Sequence, residues 1–399
     1  MENARSWFRA ALFAALSMAI GVLGFFAVAE VVLRLLPITS GLKALSVDAH
    51  NPVLRYTPNR RFTWSSGWNF AVVNRGRTNN YGFINDQDYD STVHTPLLAV
   101  VGDSYVEAFM VPYQATLQGR LARVVGTRGR VYSFGMSGGA LTQYLAEAEF
   151  AKAMLRPNGL AVVIVGNDFD ESLMKKTGFH YFEQDAHGLR LARVDYAAHP
   201  FPWVMWSAVA RYWSFNLKPA QAIAMLRAWI RKPTGGSPWV GNTAAAVDSQ
   251  RLIDSRRVVD EFLAELPWRS GLDPARIVLL VDGMRPNLYR AEGLQAAAGS
   301  YFDLMRRYLI AAAARGGFEV IDMQPRFIAR YRRDSLRFES PNDSHWNALG
   351  HEAATEAVAG SAVFRRTFPW LGGSRDWPRC CTVATSPGSR PVRRGPVPP

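Results

Sequence analysis

Three short stretches, two of them wholly apolar, each run into a glycine beside polar residues and restrict this chain more than any other feature. Leu97-Leu98-Ala99-Val100-Val101 runs into Gly102-Asp103-Ser104. Arg130–Phe134 runs into Gly135-Met136-Ser137-Gly138-Gly139, and Leu160-Ala161-Val162-Val163-Ile164-Val165 into Gly166-Asn167-Asp168. The two apolar runs read as strands of a parallel sheet, buried on both faces, and Arg130–Phe134 as a strand between them in sequence. Helical patterns lie between them, near Thr116–Val125 and over Leu141–Met154, the second stopped near Pro157. The alternation predicts an open α/β sheet. Ligands of such sheets bind at the carboxyl ends of the strands, so all three polar clusters fall where a site belongs. The pattern resumes with a helix over Asp254–Leu266, a strand over Arg276–Val281, a helix over Leu294–Arg315 and a strand over Phe318–Ile321. Asp343-Ser344-His345-Trp346-Asn347 then precedes a final helix near Ala348–Ala359.

Ahead of this pattern, Ala10 to Ala29 carry no charge. At 1.5 Å per residue such a helix spans about 30 Å, the hydrocarbon thickness of a bilayer. Ala27-Val28-Ala29 fits the small-residue pattern of a signal-peptide cleavage site. Apolar residues nevertheless continue through Val31, Val32, Leu33, Leu35 and Leu36, which favours a retained anchor. Arg5 and Arg9 then lie in the cytoplasm and the rest of the chain outside. Residues 38–95 read as an irregular, Asn- and Gly-rich segment holding Arg55, Arg60, Arg61, Arg75 and Arg77. Residues 171–250 are rich in tryptophan. Helical apolar spacing over Pro202–Lys232, with Trp203, Trp206, Trp213 and Trp229, predicts a packed helical insertion or lid rather than a membrane-surface contact. From Ser374 the chain is rich in Pro, Arg and Ser and reads as a disordered tail.

Hydrophobic residues at 48% against 20% charged exclude a wholly disordered chain. A net charge of +13 invites a nucleic-acid reading. The charge is scattered arginines plus the tail, and no nucleic-acid motif accompanies it, so no nucleic-acid partner is expected. The two cysteines, Cys380 and Cys381, are adjacent. Neighbours close a strained disulfide ring, and without a CxxC pair they make no zinc ribbon. His180, Asp185 and His187 read as a solvated loop rather than metal ligands. No metal or organic cofactor is expected.

A serine becomes a nucleophile when a base takes its proton. Ser104 sits at a strand-end turn, and His345, close to Asp343 and Asn347, stands out among seven histidines. The G-x-S-x-G pattern fails, because Val106 holds its last position. The backbone N–H groups of Ser104 and Gly138 and the side-chain amide of Asn167 suit a developing oxyanion. Asp103 reads as a structural partner of the turn, and His351 as a residue on a helix face.

Together these clusters resemble the SGNH (GDSL-type) hydrolase superfamily. Gly102-Asp103-Ser104 resembles its nucleophile block, and Ser133–Gly138 its second block, with Gly138 at the donating glycine. Gly166-Asn167-Asp168 resembles the G-x-N-D block, and Asp343-Ser344-His345 the block that carries the base. The usual last block is D-x-x-H, whereas here position 342 is Asn and the acid is Asp343. Two readings stay open: Asp343 orients the imidazole through a bent loop, or His345 uses a backbone carbonyl and the triad is a dyad. The D-x-H-W stretch also resembles alginate-type O-acetyltransferases. A single anchor ending in Glu30-Val31-Val32-Leu33-Arg34-Leu35, with Asn79-Asn80-Tyr81-Gly82-Phe83 ahead of the serine block, looks like the membrane-anchored bacterial branch.

The resemblance implies a three-layer α/β/α, flavodoxin-like parallel sheet behind one transmembrane helix. It divides the chain into an anchor (1–37), an irregular extension packed on the domain (38–95), a hydrolase-like domain (96–362) with the Trp-rich helical insertion at about 171–250, and a basic Pro-rich tail (363–399). It implies an acyl-serine at Ser104, His345 as base then acid, Asp343 holding the tautomer, and an oxyanion hole from Ser104, Gly138 and Asn167. The expected activity is ester hydrolysis on O-acyl groups of envelope glycans or lipids, at the periplasmic side of a bacterial cytoplasmic membrane. Acyl transfer to an extracytoplasmic polysaccharide is one alternative, and a non-catalytic glycan-binding or assembly factor another.

Overall fold

The computed structural model describes residues 2–371, apart from 187, 199–202, 220–222, 224–238 and 341–342. A central sheet holds β3 (Leu97–Gly102), β4 (Arg130–Gly135), β5 (Gly159–Ile164), β10 (Ile277–Val281) and β11 (Glu319–Asp322). All pairs are parallel, in the order β11-β10-β5-β3-β4. Numbered among themselves, these strands run 2-1-3-4-5, the flavodoxin-like order. The order reverses between β3 and β5, and there the crevice for a ligand opens.

Alternate residues of each strand fill two cores. Leu97, Ala99, Val101, Leu160, Val162 and Ile164 face one side with Tyr144, Phe262 and Phe302. These come from α4 (Leu141–Leu155), α7 (Ser249–Ser270) and α9 (Tyr301–Arg315). Leu98, Val100, Ala161 and Val163 face the other side with Leu121, Phe327, Val358 and Phe364. Those belong to α3 (Leu117–Val125), α10 (Met323–Asp334), α11 (Ala348–Ala359) and α12 (Ala362–Thr367). The result is the three-layer α/β/α architecture.

Several expectations are corrected. The 38–95 stretch is not wholly irregular: β1 (Arg61–Ser66) and β2 (Val72–Arg77) pair as a hairpin. Phe62, Ser65 and Asn74 are its buried positions. The 171–250 insertion is only partly helical. It contains the hairpins β6–β7 (His180–Asp185, Gly188–Arg193) and β8–β9 (Trp239–Val240, Thr243–Ala244). Its helix breaks into a short turn at Trp203–Trp206, then α6 (Ala208–Arg211) and a π-helical turn, Tyr212–Leu217, because Ser207 caps α6 afresh. Trp229 lies outside the described residues. The helix read over Leu294–Arg315 is two, α8 (Ala291–Ala297) and α9. Gly299 takes a φ of +75° between them, and Ser300 caps the second. The tail begins later than residue 363, since Val363, Phe364 and Phe368 are buried in the second core. Cys380, Cys381 and the stretch from Ser374 lie outside the described residues.

The first helix, α1 (Glu2–Arg34), is among the described residues the one long and apolar enough to cross a membrane.

Candidate active site

Ser104 is the first residue of α2 (Ser104–Glu107), which starts where β3 ends. Asp103 caps this helix. Its Oδ1 accepts from Tyr105 N at 2.9 Å, and its Oδ2 lies 3.2 Å from Ser104 Oγ. A Cβ on Gly102 would lie 2.5 Å from Val106 Cγ2, so only glycine lets strand and helix meet this closely. Burial pushes the Asp103 carboxyl up to about 6.

His345, 241 residues beyond Ser104 in the chain, comes from β13 (Asp343–Trp346), which pairs with β12 (Glu339–Ser340), and its Nε2 lies 2.7 Å from Ser104 Oγ. A buried cluster grips the residues on either side of it. Arg285 Nη1 and Tyr105 OH both donate to Ser344 O at 3.0 Å. Arg285 Nη2 donates to Asp282 Oδ2 at 2.6 Å, and Trp346 Nε1 donates to Asp282 Oδ1 at 2.9 Å. Burial works against the Arg285 charge, but Asp282 outweighs it and raises its pKa. The imidazole is thus held by its neighbours' backbone and ring as well as by its own bonds. Asp343 precedes it by two residues in the same strand. The Asp343 side chain lies outside the described part of the structure.

The other two strand ends supply the remaining groups. Gly138 follows β4 with a φ of +87°, a conformation that disfavours residues with a Cβ. Lys176 Nζ donates to Gly138 O at 3.0 Å, which fixes the orientation of that peptide. Ser137 N donates to Glu107 Oε2 at 2.9 Å, tying this loop to the helix of Ser104. Burial pushes the Glu107 carboxyl up to about 7 despite the Ser137 bonds.

Asn167 follows β5 and meets Asn242, in the turn between β8 and β9. Gly166 N donates to Asn242 Oδ1 at 2.9 Å, so the Asn242 amide nitrogen is the end that reaches Asn167 Oδ1. The Asn167 oxygen is therefore occupied, and its NH₂ is the end left to meet a ligand. Among the described residues neither Ser104 N nor Gly138 N donates to a protein acceptor. Ser104, His345 and Asn167 are half-buried and Gly138 is exposed, so the site opens to solvent.

Asp168, beside Asn167, faces inward. It accepts from Val165 N at 2.8 Å and from Tyr144 OH at 2.9 Å, and burial holds its pKa well above the usual carboxylate range. His351 is on a helix, as expected, and on its buried side. It is fully buried in α11, where Nδ1 accepts from Leu117 N at 3.2 Å, and burial pushes its pKa down to about 3. His180 and Asp185 stand at opposite ends of β6, and His187 lies outside the described residues. No group of three metal-ligating side chains occurs among the described residues.

Reading the sequence missed Asn242, Asp282, Arg285 and Glu107. Asp282 carried the same signal as the others, a polar residue and a glycine at the end of an apolar run. Asn242 carried none, because its partner is 75 residues away.

No family model matches the chain, and no curated protein sequence matches it. Solved structures do. A lipase/acylhydrolase from Enterococcus faecalis is 10% identical, with 68% of this chain and 96% of that one covered, at a TM-score of 0.35. A member of the lipolytic G-D-S-L family from Veillonella parvula is 9% identical, with 67% and 97% covered, at a TM-score of 0.34. An acetyl xylan esterase is 9% identical, with 70% and 100% covered, at a TM-score of 0.37.

Proposed function

We propose that this protein is a serine-dependent ester hydrolase of the SGNH type, working through an acyl-serine. The observation that carries the reading is the 2.7 Å approach of His345 Nε2 to Ser104 Oγ, at the mouth of the sheet crevice. Ser104 Oγ bonds to the ester carbonyl carbon as its proton passes to His345 Nε2. The carbonyl oxygen becomes an oxyanion facing Ser104 N, Gly138 N and the Asn167 NH₂. The C–O bond to the alcohol breaks, and the alcohol leaves with the proton from His345. Water then repeats the sequence. It bonds to the acyl carbon, gives its proton to His345, and releases the carboxylic acid as Ser104 Oγ regains that proton. Asp343, two residues before the base, is assigned to hold the imidazole tautomer.

The substrate class we propose is the O-acyl ester of an envelope glycan or lipid. A site open to solvent accepts the edge of a large molecule. The helix α1, with Arg5 and Arg9 in its first turns ahead of the uncharged run, would keep the domain at the outer face of a bacterial cytoplasmic membrane.

The test is turnover of p-nitrophenyl acetate by the full chain in detergent, beside Ser104→Ala and with short glycan acceptors in a parallel set. Hydrolysis that disappears in Ser104→Ala supports the reading. Turnover that rises with acceptor, with acylated sugar seen by mass spectrometry, replaces hydrolysis by acyl transfer. Equal rates in wild type and Ser104→Ala across several acyl lengths would leave the non-catalytic reading in its place.

A further inference from the structure

We infer that the end of the anchor and a tryptophan-bearing collar around it form a docking surface for the lipid bilayer, so that the domain lies on the membrane rather than hanging from it. The inference rests on the reading of α1 as a membrane anchor. Three elements distant in sequence build the collar. The Glu30 carboxylate in the last turns of α1 accepts from Ser207 Oγ at 2.8 Å, Ala208 N at 3.0 Å and Val209 N at 3.1 Å. Arg34 pairs with Glu30 at 2.8 Å. Tyr212 OH donates to Trp68 O at 2.6 Å, and Asn216 Nδ2 donates to Ser65 Oγ at 3.0 Å and Gly67 O at 3.2 Å. These bonds tie the tip of the β1–β2 hairpin to the segment after α6, and the start of α6 to α1.

What the collar presents is apolar and aromatic. Trp68 and Trp206 are each 72% exposed and Trp213 57%. Leu35, at the exit of the helix, is 83% exposed. Phe26 and Ala27 of α1 line an apolar cleft of about 780 Å³ with Met205, Val209, Ala210 and Trp213. A surface of this kind in water marks a contact. The occupant is set by continuity: the same cleft is lined by the helix that crosses the bilayer. Tryptophan, an apolar ring with one N–H donor, settles at the boundary between acyl chains and headgroups. A carboxylate near the end of a membrane span is costly unless its oxygens are satisfied. Here the collar supplies the donors, so Glu30 brings the collar to the membrane boundary with it.

The experiment uses the full chain with Cys380→Ser and Cys381→Ser, in vesicles of phosphatidylethanolamine and phosphatidylglycerol. Single nitroxide labels go at Trp68→Cys, Trp206→Cys and Trp213→Cys. References are Ile20→Cys within α1 and Trp268→Cys beside Asn158, where β5 begins. Collision with oxygen, which concentrates in lipid, is compared with collision with a water-soluble nickel chelate. The expected result is an oxygen-to-nickel ratio several-fold higher at 68, 206 and 213 than at 268. Ratios at those three equal to that at 268, with 20 in lipid, overturn the docking surface and leave the anchor standing. A water-like ratio at 20 overturns both.

A second measurement leaves the backbone and its contacts undisturbed. Brominated lipids should quench tryptophan emission of the unlabelled chain more than that of a Trp68→Phe, Trp206→Phe, Trp213→Phe variant. Equal quenching would also overturn the inference.

Discussion

The least obvious residue at this site is Asn242. Asn167 can offer either end of its amide to a ligand, and an oxyanion needs the nitrogen. Gly166 N can only donate, which turns the Asn242 oxygen toward it and the Asn242 nitrogen toward Asn167 Oδ1. Asn167→Ala should lower kcat for ester hydrolysis by about 10²–10³, the usual cost of one oxyanion donor. Asn242→Ala should cost about tenfold in kcat with KM little changed, because it frees the amide without removing it. Asn242→Asp keeps the acceptor for Gly166 N but sets an oxygen against the Asn167 oxygen. It should therefore be at least as poor as Asn242→Ala, and steady-state kinetics of the three variants check this. Recovery of wild-type kcat in Asn242→Asp would reduce Asn242 to a partner of the turn.

At the level of elements, β13 depends on a buried ion pair for its position. Arg285 and Asp282 are almost without exposure, and between them they hold Ser344 O and the Trp346 ring. Removing one member of a buried pair leaves an uncompensated charge and costs about 3–5 kcal/mol. Arg285→Met should show that loss in urea unfolding, and a larger proportional loss of turnover than of stability, since Ser344 would no longer be held. The double variant Arg285→Met, Asp282→Leu should recover part of the stability, because no charge then stays buried alone. A double variant less stable than Arg285→Met would contradict the account.

Across the whole molecule, the layer behind the serine holds four buried carboxyls, Asp103, Glu107, Glu147 and Asp168, and burial raises the pKa of each. Glu107 moves from 4.5 up to about 7. A carboxyl with a raised folded-state pKa contributes stability that is complete below its unfolded pKa and is lost as pH rises through the folded one. The contribution of Glu107 should accordingly decline between about pH 4.5 and 7. Thermal unfolding of wild type and Glu107→Gln over pH 4–8 tests this, with the difference shifting toward the variant as pH rises. A difference independent of pH would mean that the Glu107 pKa does not change on folding.

The five strands of the central sheet, their order of appearance and the polar clusters after the first three were legible in the chain, because short apolar runs bounded by turns suit a buried parallel sheet, whereas the hairpins were not. Gly102 and Gly138 were legible too, since turns at strand ends demand them. The resemblance paired Ser104 with His345, and the tertiary structure decided the geometry of that pair and every contact around it. The sequence places His345 241 residues beyond Ser104, and β13, outside the parallel sheet, brings it to 2.7 Å. Asn242, Arg285 and Glu107 act through contacts with residues far away or on another face, and local composition carries no trace of such pairing. The same holds for the collar. Trp206 and Trp213 read as part of a packed helical insertion, and only the closure of hairpin, α6 and anchor onto one another leaves them beside Trp68 on the surface where the helix ends.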